Sequence, residues 1–386
     1  MLKFLQTQEP VHWEVARQVA RWMALEGSEE APLGATERAG LVEIAAAAEA
    51  HVLSGTDLPA PAAKLEMLGR GEWAERALVA LRPILRRLAV SLQGEGSGSI
   101  DVGGPTSPVG PMGPMGPMGP NPMASLFGAL GPLLLGVQCG FMVGQLAQGL
   151  LSQHDLLLPV ADPPQPAFIV PNIEAFHAAW SIPADDLRFY LALQEAVRSR
   201  ICSRAWVRER LVRLATEYVG SFRVDPAVLE AQFGSFDPSD PSSLEGLMGD
   251  PDAMLGAMQS PEQLVVLERF QTTTAVLETY ADVVVERVGG PLLTSLPTIR
   301  EAMRRHWVER SEADRFIQRL LGLDPSRKKH DQAAAFCAGV TERAGPAVLA
   351  RLLEGEAQLP TRAELEAPGL WLARLETFGD DDQPPA

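Results

Sequence analysis

The stretch LALQEAVRSR, residues 191 to 200, places two polar side chains where a helix needs apolar ones. Pro183 suits the first turn of a helix that contains this stretch. With successive residues set about 100° apart, one side becomes an apolar arc. The arc is formed by Leu187, Tyr190, Leu191, Leu193, Val197, Ile201 and Cys202. Because Gln194 falls at its centre and Arg198 beside it, the pattern predicts a helix over 183–202 that buries an amide and a guanidinium.

A buried Arg198 needs a carboxylate partner, because an unpaired buried charge destabilises a fold by several kcal/mol. Gln194 in the same way needs hydrogen bonds. The alternative is a helix at the boundary of the core, where Arg198 extends its charged head to water along its aliphatic stem. In both cases Ser199 and Arg200 lie outside the apolar arc.

The chain on either side of this helix is also mostly helical in pattern. Apolar residues at three- and four-residue spacing predict helices in 11–95, 205–220, 262–288, 296–308, 312–322, 331–344 and 346–354. Pro83 predicts a kink or a break in the first of these regions. The run AFIVPNI, residues 167–173, is the clearest strand pattern. The predicted fold class is therefore mainly α, with at most a small β element near 167–173.

Composition divides the chain into four parts. Residues 1–97 form an N-terminal helical region expected to pack on the rest, and 98–123 form a linker rich in glycine, proline and methionine. Its GPMGPMGPMGP run is too short for a collagen helix, and a methionine-rich binding loop is the alternative to a spacer. A helical domain spans 124–375, and 376–386 is an acidic tail predicted to be disordered.

The start of the helical domain carries no charged residue between Asp101 and Asp155. The stretch is long enough to span a bilayer, and Gly136, Gly140 and Gly144 would suit packing between membrane helices. However, three glutamines share one helical stripe, and no lysine or arginine flanks the stretch. These features favour a buried helix that packs closely through its glycines.

Charge and cysteine content narrow the class of protein. The 386 residues include 49 acidic and 33 basic side chains, a formal charge of −16, which argues against nucleic acid or an anionic membrane as a partner. Three cysteines with no close pair fit neither a disulfide framework nor a cysteine metal site. The first residues contain no apolar stretch of signal-peptide length, so we expect a cytoplasmic protein.

The spacing of Gln194, Glu195 and Arg198 is that of His-Glu-x-x-His, in which two histidines bind zinc from one helix face and the glutamate is the general base. The flanking runs VPNI (170–173) and AWVRERL (205–211) resemble those around this motif in a family of zincin-like bacterial metallopeptidases. Members of this poorly characterised family are often labelled hydrolases or zinc-dependent metalloproteases. Similar runs extend from about residue 124 to 374, so the resemblance implies a zincin-like multi-helix fold.

The chain departs from this family at the residues that would perform the chemistry. Both motif histidines are absent, so the motif is degenerate and only Glu195 keeps the family identity. The amide of Gln194 is a poor zinc ligand, and the guanidinium of Arg198 stays protonated without a free lone pair. The resemblance also implies a carboxylate ligand on a later helix, for which Glu278 is the candidate. None of the six histidines has another three or four residues away.

The sequence therefore predicts a member of this family that has lost zinc, holds no cofactor and is catalytically inactive. It would act as a scaffold that binds an unknown protein or peptide. Glu195 would be a vestigial general base, and Arg198 would form a buried ion pair with Glu278, Glu195 or Asp282, in a network that Gln194 joins. The alternatives are an active hydrolase with a relocated metal or a metal-free mechanism based on Glu195, and a membrane-associated protein.

Overall fold

The computed structural model describes residues 9–60, 63–93, 122–157, 165–222, 260–309, 312–323 and 327–379. Within these ranges the chain is mainly helical, with one two-stranded parallel sheet. This confirms the predicted fold class. Most of the predicted linker and the end of the predicted tail lie outside the described residues.

The first half of the chain contributes four long helices and the first strand. They are α1 (Trp13–Ala24), α2 (Ala35–Gly55), β1 (Glu66–Leu68), α3 (Arg70–Gln93) and α4 (Pro122–Gly149). Helix α3 continues through Pro83, so of the predicted kink or break the structure excludes the break. Ile84 and Leu85 are buried directly after the proline, and their burial offsets the hydrogen bond that proline removes.

The predicted β element exists but is shorter than expected. Strand β2 (Ala167–Ile169) pairs in parallel with β1, which the sequence did not predict. From Val170 onward the chain is helix α5 (Val170–Trp180), with Pro171 in its first turn, where a missing amide hydrogen costs nothing. The predicted strand run is therefore half strand and half helix.

The second half is helical, at positions close to those predicted. The elements are α6 (Ala184–Ser203), α7 (Ala205–Gly220), α8 (Pro261–Gly289), α9 (Leu296–Val308), α10 (Glu312–Leu320), α11 (Arg327–Ala344), two 3₁₀ helices (Pro346–Leu353 and Glu356–Gln358), α12 (Arg362–Glu366) and α13 (Pro368–Gly379). Helix α13 reaches into the segment predicted as a tail.

Helix α4 packs against α1 through its glycines as predicted, but it is not fully buried, since Leu133, Leu134 and Val137 are at least 40% exposed. A Cβ atom at Gly140 would lie 2.5 Å from the carbonyl oxygen of Ala16, and one at Gly144 would lie 2.7 Å from that of Ala20. Only glycine permits this close approach. None of the helices in the described ranges is both long and apolar enough to cross a membrane.

Helix α6 lies at the centre of the molecule, in contact with α2, α5, α7 and α8. Every side chain from Tyr190 to Cys202 is buried, including Ser199 and Arg200, which the helical wheel placed outside the buried arc. That placement is wrong because α2 covers this second face. The Arg200 guanidinium lies there, with Nη1 3.2 Å from Glu49 Oε1 and Nε donating to the carbonyl of Pro59 at 2.8 Å.

Candidate functional site

Glu195 is fully buried, and both of its carboxylate oxygens are engaged by neighbouring segments. Oε1 accepts a hydrogen bond from the backbone N–H of Ala167 at 3.0 Å and lies 2.8 Å from His154 Nδ1. Oε2 accepts the backbone N–H of His154 at 3.1 Å. Glu195 therefore joins α6 to the loop that follows α4 and to the first residue of β2.

These contacts determine the ionisation of Glu195. Burial acts to raise the pKa of the carboxyl group, but the charge and hydrogen bond of His154 and the backbone N–H of Ala167 outweigh it and lower the pKa. Glu195 is thus held as a carboxylate. Since it has no exposed surface, neither oxygen is available to a substrate in this arrangement.

Arg198, one turn further along α6, is buried and bonded to a carboxylate that the sequence did not single out. Its Nη1 donates to Asp155 Oδ1 at 3.4 Å. Asp155 also accepts from the backbone N–H groups of Leu151 and Ser152, at 2.6 and 3.0 Å. The predicted burial of Arg198 is correct, but the predicted direct partners are wrong, because the ion pair is with Asp155 and not with Glu278, Glu195 or Asp282.

Glu278 and Asp282, on α8, act on Arg198 through charge rather than direct contact. Burial opposes the charge of Arg198, but Asp155, Asp282 and Glu278 together raise its pKa above the usual value. Glu278 is partly buried. Burial, with the nearby charges of Asp282 and Asp155, raises its pKa to about 7, and the attraction of Arg198 opposes that rise. The site therefore combines one fixed cation with several carboxyl groups.

Gln194 directs its amide group toward an aromatic hydroxyl instead of a carboxylate. Its Nε2 donates to the Tyr190 hydroxyl at 2.8 Å. The buried Oε1 of Gln194 and the buried Nε of Arg198 have no hydrogen-bond partner among the described residues. Buried polar atoms usually have hydrogen-bond partners, so these two atoms show that the polar groups at positions 194 and 198 are incompletely satisfied.

The residues at this site do not fit zinc. Zinc sites in proteins use thiolate, imidazole and carboxylate ligands, whereas the motif positions here hold an amide and a guanidinium. The guanidinium of Arg198 already provides a positive charge beside Asp155, where a second cation would be repelled. Across the described ranges, no group of three or more histidine, cysteine, aspartate or glutamate side chains is arranged to hold a metal ion.

The site includes two functional neighbours that the sequence did not identify, His154 and Asp155. They contact α6 residues that lie 41 and 43 positions away in sequence, too far for periodicity to indicate. One sequence feature does point to them. His154 and Asp155 stand at the end of the uncharged run that contains α4. Both are buried, and a buried polar residue requires a hydrogen-bond partner.

The fold and site define a helical protein whose central helix buries Gln194, Glu195 and Arg198 at the spacing of a metallopeptidase motif. Residues 11–372 match the model of the zincin-like metallopeptidase family, and the chain belongs to this family. No curated protein matches the sequence. Among solved structures, "a putative hydrolase with a novel fold" from Chloroflexus aurantiacus is 22% identical with a TM-score of 0.62, covering 95% of this chain and 99% of that chain. At this identity the likeness concerns the fold alone.

Proposed function

We propose that this protein is a zincin-like family member that has lost zinc binding and peptidase activity and acts as a binding scaffold. The observation that carries the proposal is the buried ion pair of Arg198 with Asp155, which puts a permanent cation at the position of the second histidine. In this proposal the positive charge of Arg198, paired with Asp155, takes the place of the positive charge of the metal ion. The formal charge of −16 supports a protein or peptide partner rather than nucleic acid, and we expect a cytoplasmic location.

The contacts of Glu195 support the same conclusion. A general base must reach the proton that it removes, and its pKa should lie near the working pH. Glu195 is fully enclosed, bonded at both oxygens and shifted to a lower pKa. In our proposal it has become a structural residue.

A second candidate function is a hydrolase that uses no metal, and one observation favours it. The pKa of Glu278 is raised to about 7, which suits a general base at neutral pH. Arg198 lies close enough to influence that pKa and is a cation that would stabilise a developing negative charge. This mechanism would depend on Glu278 and Arg198 rather than on Glu195.

Metal analysis of protein purified without chelator tests the main proposal. We expect no stoichiometric zinc in the native protein, and about one zinc per chain in the double variant Gln194→His with Arg198→His, which restores the family ligands. Each single variant is a matched control, because it supplies only one imidazole. Adding Glu278→Ala to the double variant should weaken zinc binding if Glu278 is the third ligand.

Two results would overturn the proposal. Stoichiometric zinc in the native protein would contradict the loss of the metal. Peptidase activity in the native protein that disappears in Glu278→Gln but survives in Glu195→Gln would favour the second candidate function. Circular dichroism of every variant is needed to separate loss of activity from loss of folding.

A further inference from the structure

A cavity of about 270 Å³ lies between α8, the start of α11 and the segment that leads into α12. It shares no residue with the site around Glu195 and Arg198. Four cationic side chains line it, against one carboxylate, Glu268. The cations are Arg210, Arg269, Lys329 and Arg362. Such an excess of positive charge is unusual in a chain with a formal charge of −16.

Partners within the protein pair with all but one of these cations. Glu268 Oε1 lies 2.8 Å from Lys329 Nζ and 3.9 Å from Arg362 Nη1, and Arg362 Nε also lies 3.9 Å from Glu366 Oε1. Arg210 is paired with Glu356 outside the cavity. Arg269 has no ion pair or side-chain hydrogen bond with any residue that the structure describes. Arg269 is therefore the cation most available to a ligand.

The remaining lining combines free hydrogen-bonding groups with an apolar wall. The Thr272 hydroxyl and the Gln332 amide line the cavity, and neither has a hydrogen-bond partner within the described ranges. Val276 and Leu365 are almost fully buried and form part of the wall. Ligand sites typically combine an apolar wall with a few polar groups that fix orientation.

We propose that this cavity binds a small organic anion. Its apolar body would lie against Val276 and Leu365, and its carboxylate or phosphate head would accept hydrogen bonds from Arg269 and Thr272. Arginine donates to both kinds of head group through paired N–H groups, so the arrangement selects an oxyanion of either kind. The proposal is independent of whether the protein binds zinc.

Calorimetric titration of the full chain tests the proposal with four probes. Phenyl phosphate and phenylacetate carry an apolar ring with each kind of head group, benzyl alcohol has the ring without the charge, and inorganic phosphate has the charge without the ring. We expect one anion with a ring to bind with one-to-one stoichiometry. Benzyl alcohol and inorganic phosphate should each bind at least about tenfold more weakly. The stronger of the two ring anions identifies the preferred head group.

Variants locate the site. Arg269→Ala should weaken binding of the preferred anion about tenfold, the typical effect of losing a charged hydrogen bond. Arg38→Ala is the matched control, because Arg38 is an exposed helical arginine outside the cavity without a side-chain partner among the described residues. The proposal is overturned if neither ring anion binds the folded native protein at millimolar concentration, or if Arg269→Ala binds as tightly as Arg38→Ala.

Discussion

At the scale of single residues, the buried carboxylate of Glu195 bonds to two neighbouring segments of the chain. Its oxygens form hydrogen bonds with His154 and with the backbone N–H of Ala167. One side chain on α6 therefore links two segments that are distant from it in sequence. Removing the acceptor of a buried hydrogen bond destabilises a protein by about 1–3 kcal/mol, and by more when the acceptor is charged, because the donor stays buried without a partner. We expect a loss of this size in Glu195→Gln, measured by urea unfolding at neutral pH.

Glu301→Gln is the control for that measurement. Glu301 lies on the exposed surface of α9 and pairs with Arg304 and Arg305. Exposed ion pairs contribute about 0–1 kcal/mol, so this variant should differ little from the native protein. If Glu195→Gln were as stable as Glu301→Gln, the structural role of Glu195 would be refuted.

Glu278 makes stability depend on pH in the opposite sense to a carboxylate whose pKa is lowered by folding. Its pKa is raised to about 7 in the folded state from an ordinary value of 4.5, so between these values the folded chain binds more protons than the unfolded chain. The free energy of unfolding must therefore fall as pH rises through this window. Relative to the native protein, Glu278→Gln should be more stable at pH 8 than at pH 5, by about 1–3 kcal/mol.

Urea unfolding of both proteins at the two pH values measures this difference. The comparison uses the change between pH values, which removes any constant effect of the substitution on packing. An identical stability difference at pH 5 and pH 8 would show that Glu278 titrates normally in the folded protein. It would also remove the main support for a metal-free hydrolase.

At the scale of elements, the contact between α1 and α4 requires glycine at specific positions. A Cβ at Gly140 would lie 2.5 Å from the Ala16 carbonyl oxygen, which belongs to the backbone and cannot turn aside. We expect Gly140→Ala to destabilise the protein by about 1–3 kcal/mol through overpacking. Thermal or urea unfolding measures the change.

Gly40→Ala, inside α2, is the matched control. A Cβ at Gly40 would meet nothing within 4 Å, so alanine there should raise stability by up to about 1 kcal/mol through its better helix propensity. Opposite signs for the two substitutions would support close packing at Gly140. Equal signs would mean that helix propensity, and not contact, determines the result.

The helices were predictable from sequence because each one carries its own periodicity. Helix α8 was predicted at 262–288 and spans Pro261–Gly289. What the sequence could not supply was contact between distant segments. Strand β1 is three residues long and exists through its pairing with β2. The helical wheel of α6 failed at Arg200 for the same reason, since a wheel assumes one solvated face and α2 covers that face here.

The candidate site shows the same limit. Motif spacing located Gln194, Glu195 and Arg198, and the apolar arc indicated that they are buried. The partner of Arg198 was mistaken because charge balance specifies a carboxylate but not which one. Asp155 is bonded to Arg198 because the loop after α4 folds beside β2, as the hydrogen bond from the backbone N–H of Gln153 to the Ala167 carbonyl at 2.8 Å shows.

At the scale of the whole molecule, the buried apolar side chains form one continuous cluster that includes members of α1, α6 and α13. A chain of 386 residues is longer than the size at which single cores usually divide into domains, about 250–300 residues. The helices before residue 97 are nevertheless built into the same core, since α1 and α3 pack on α4 and α3 packs on α7.

This continuity predicts one cooperative unfolding transition for the whole protein. Urea curves followed by far-ultraviolet circular dichroism and by tryptophan fluorescence should coincide, because Trp73 of α3 and Trp371 of α13 are buried in the same cluster. Gly140→Ala should then move the entire curve to lower urea without adding a phase. The prediction fails if the curve shows two transitions and Gly140→Ala moves only one of them. In that case α1 and α4 unfold as a separate unit, and the shared core is less cooperative than its contacts imply.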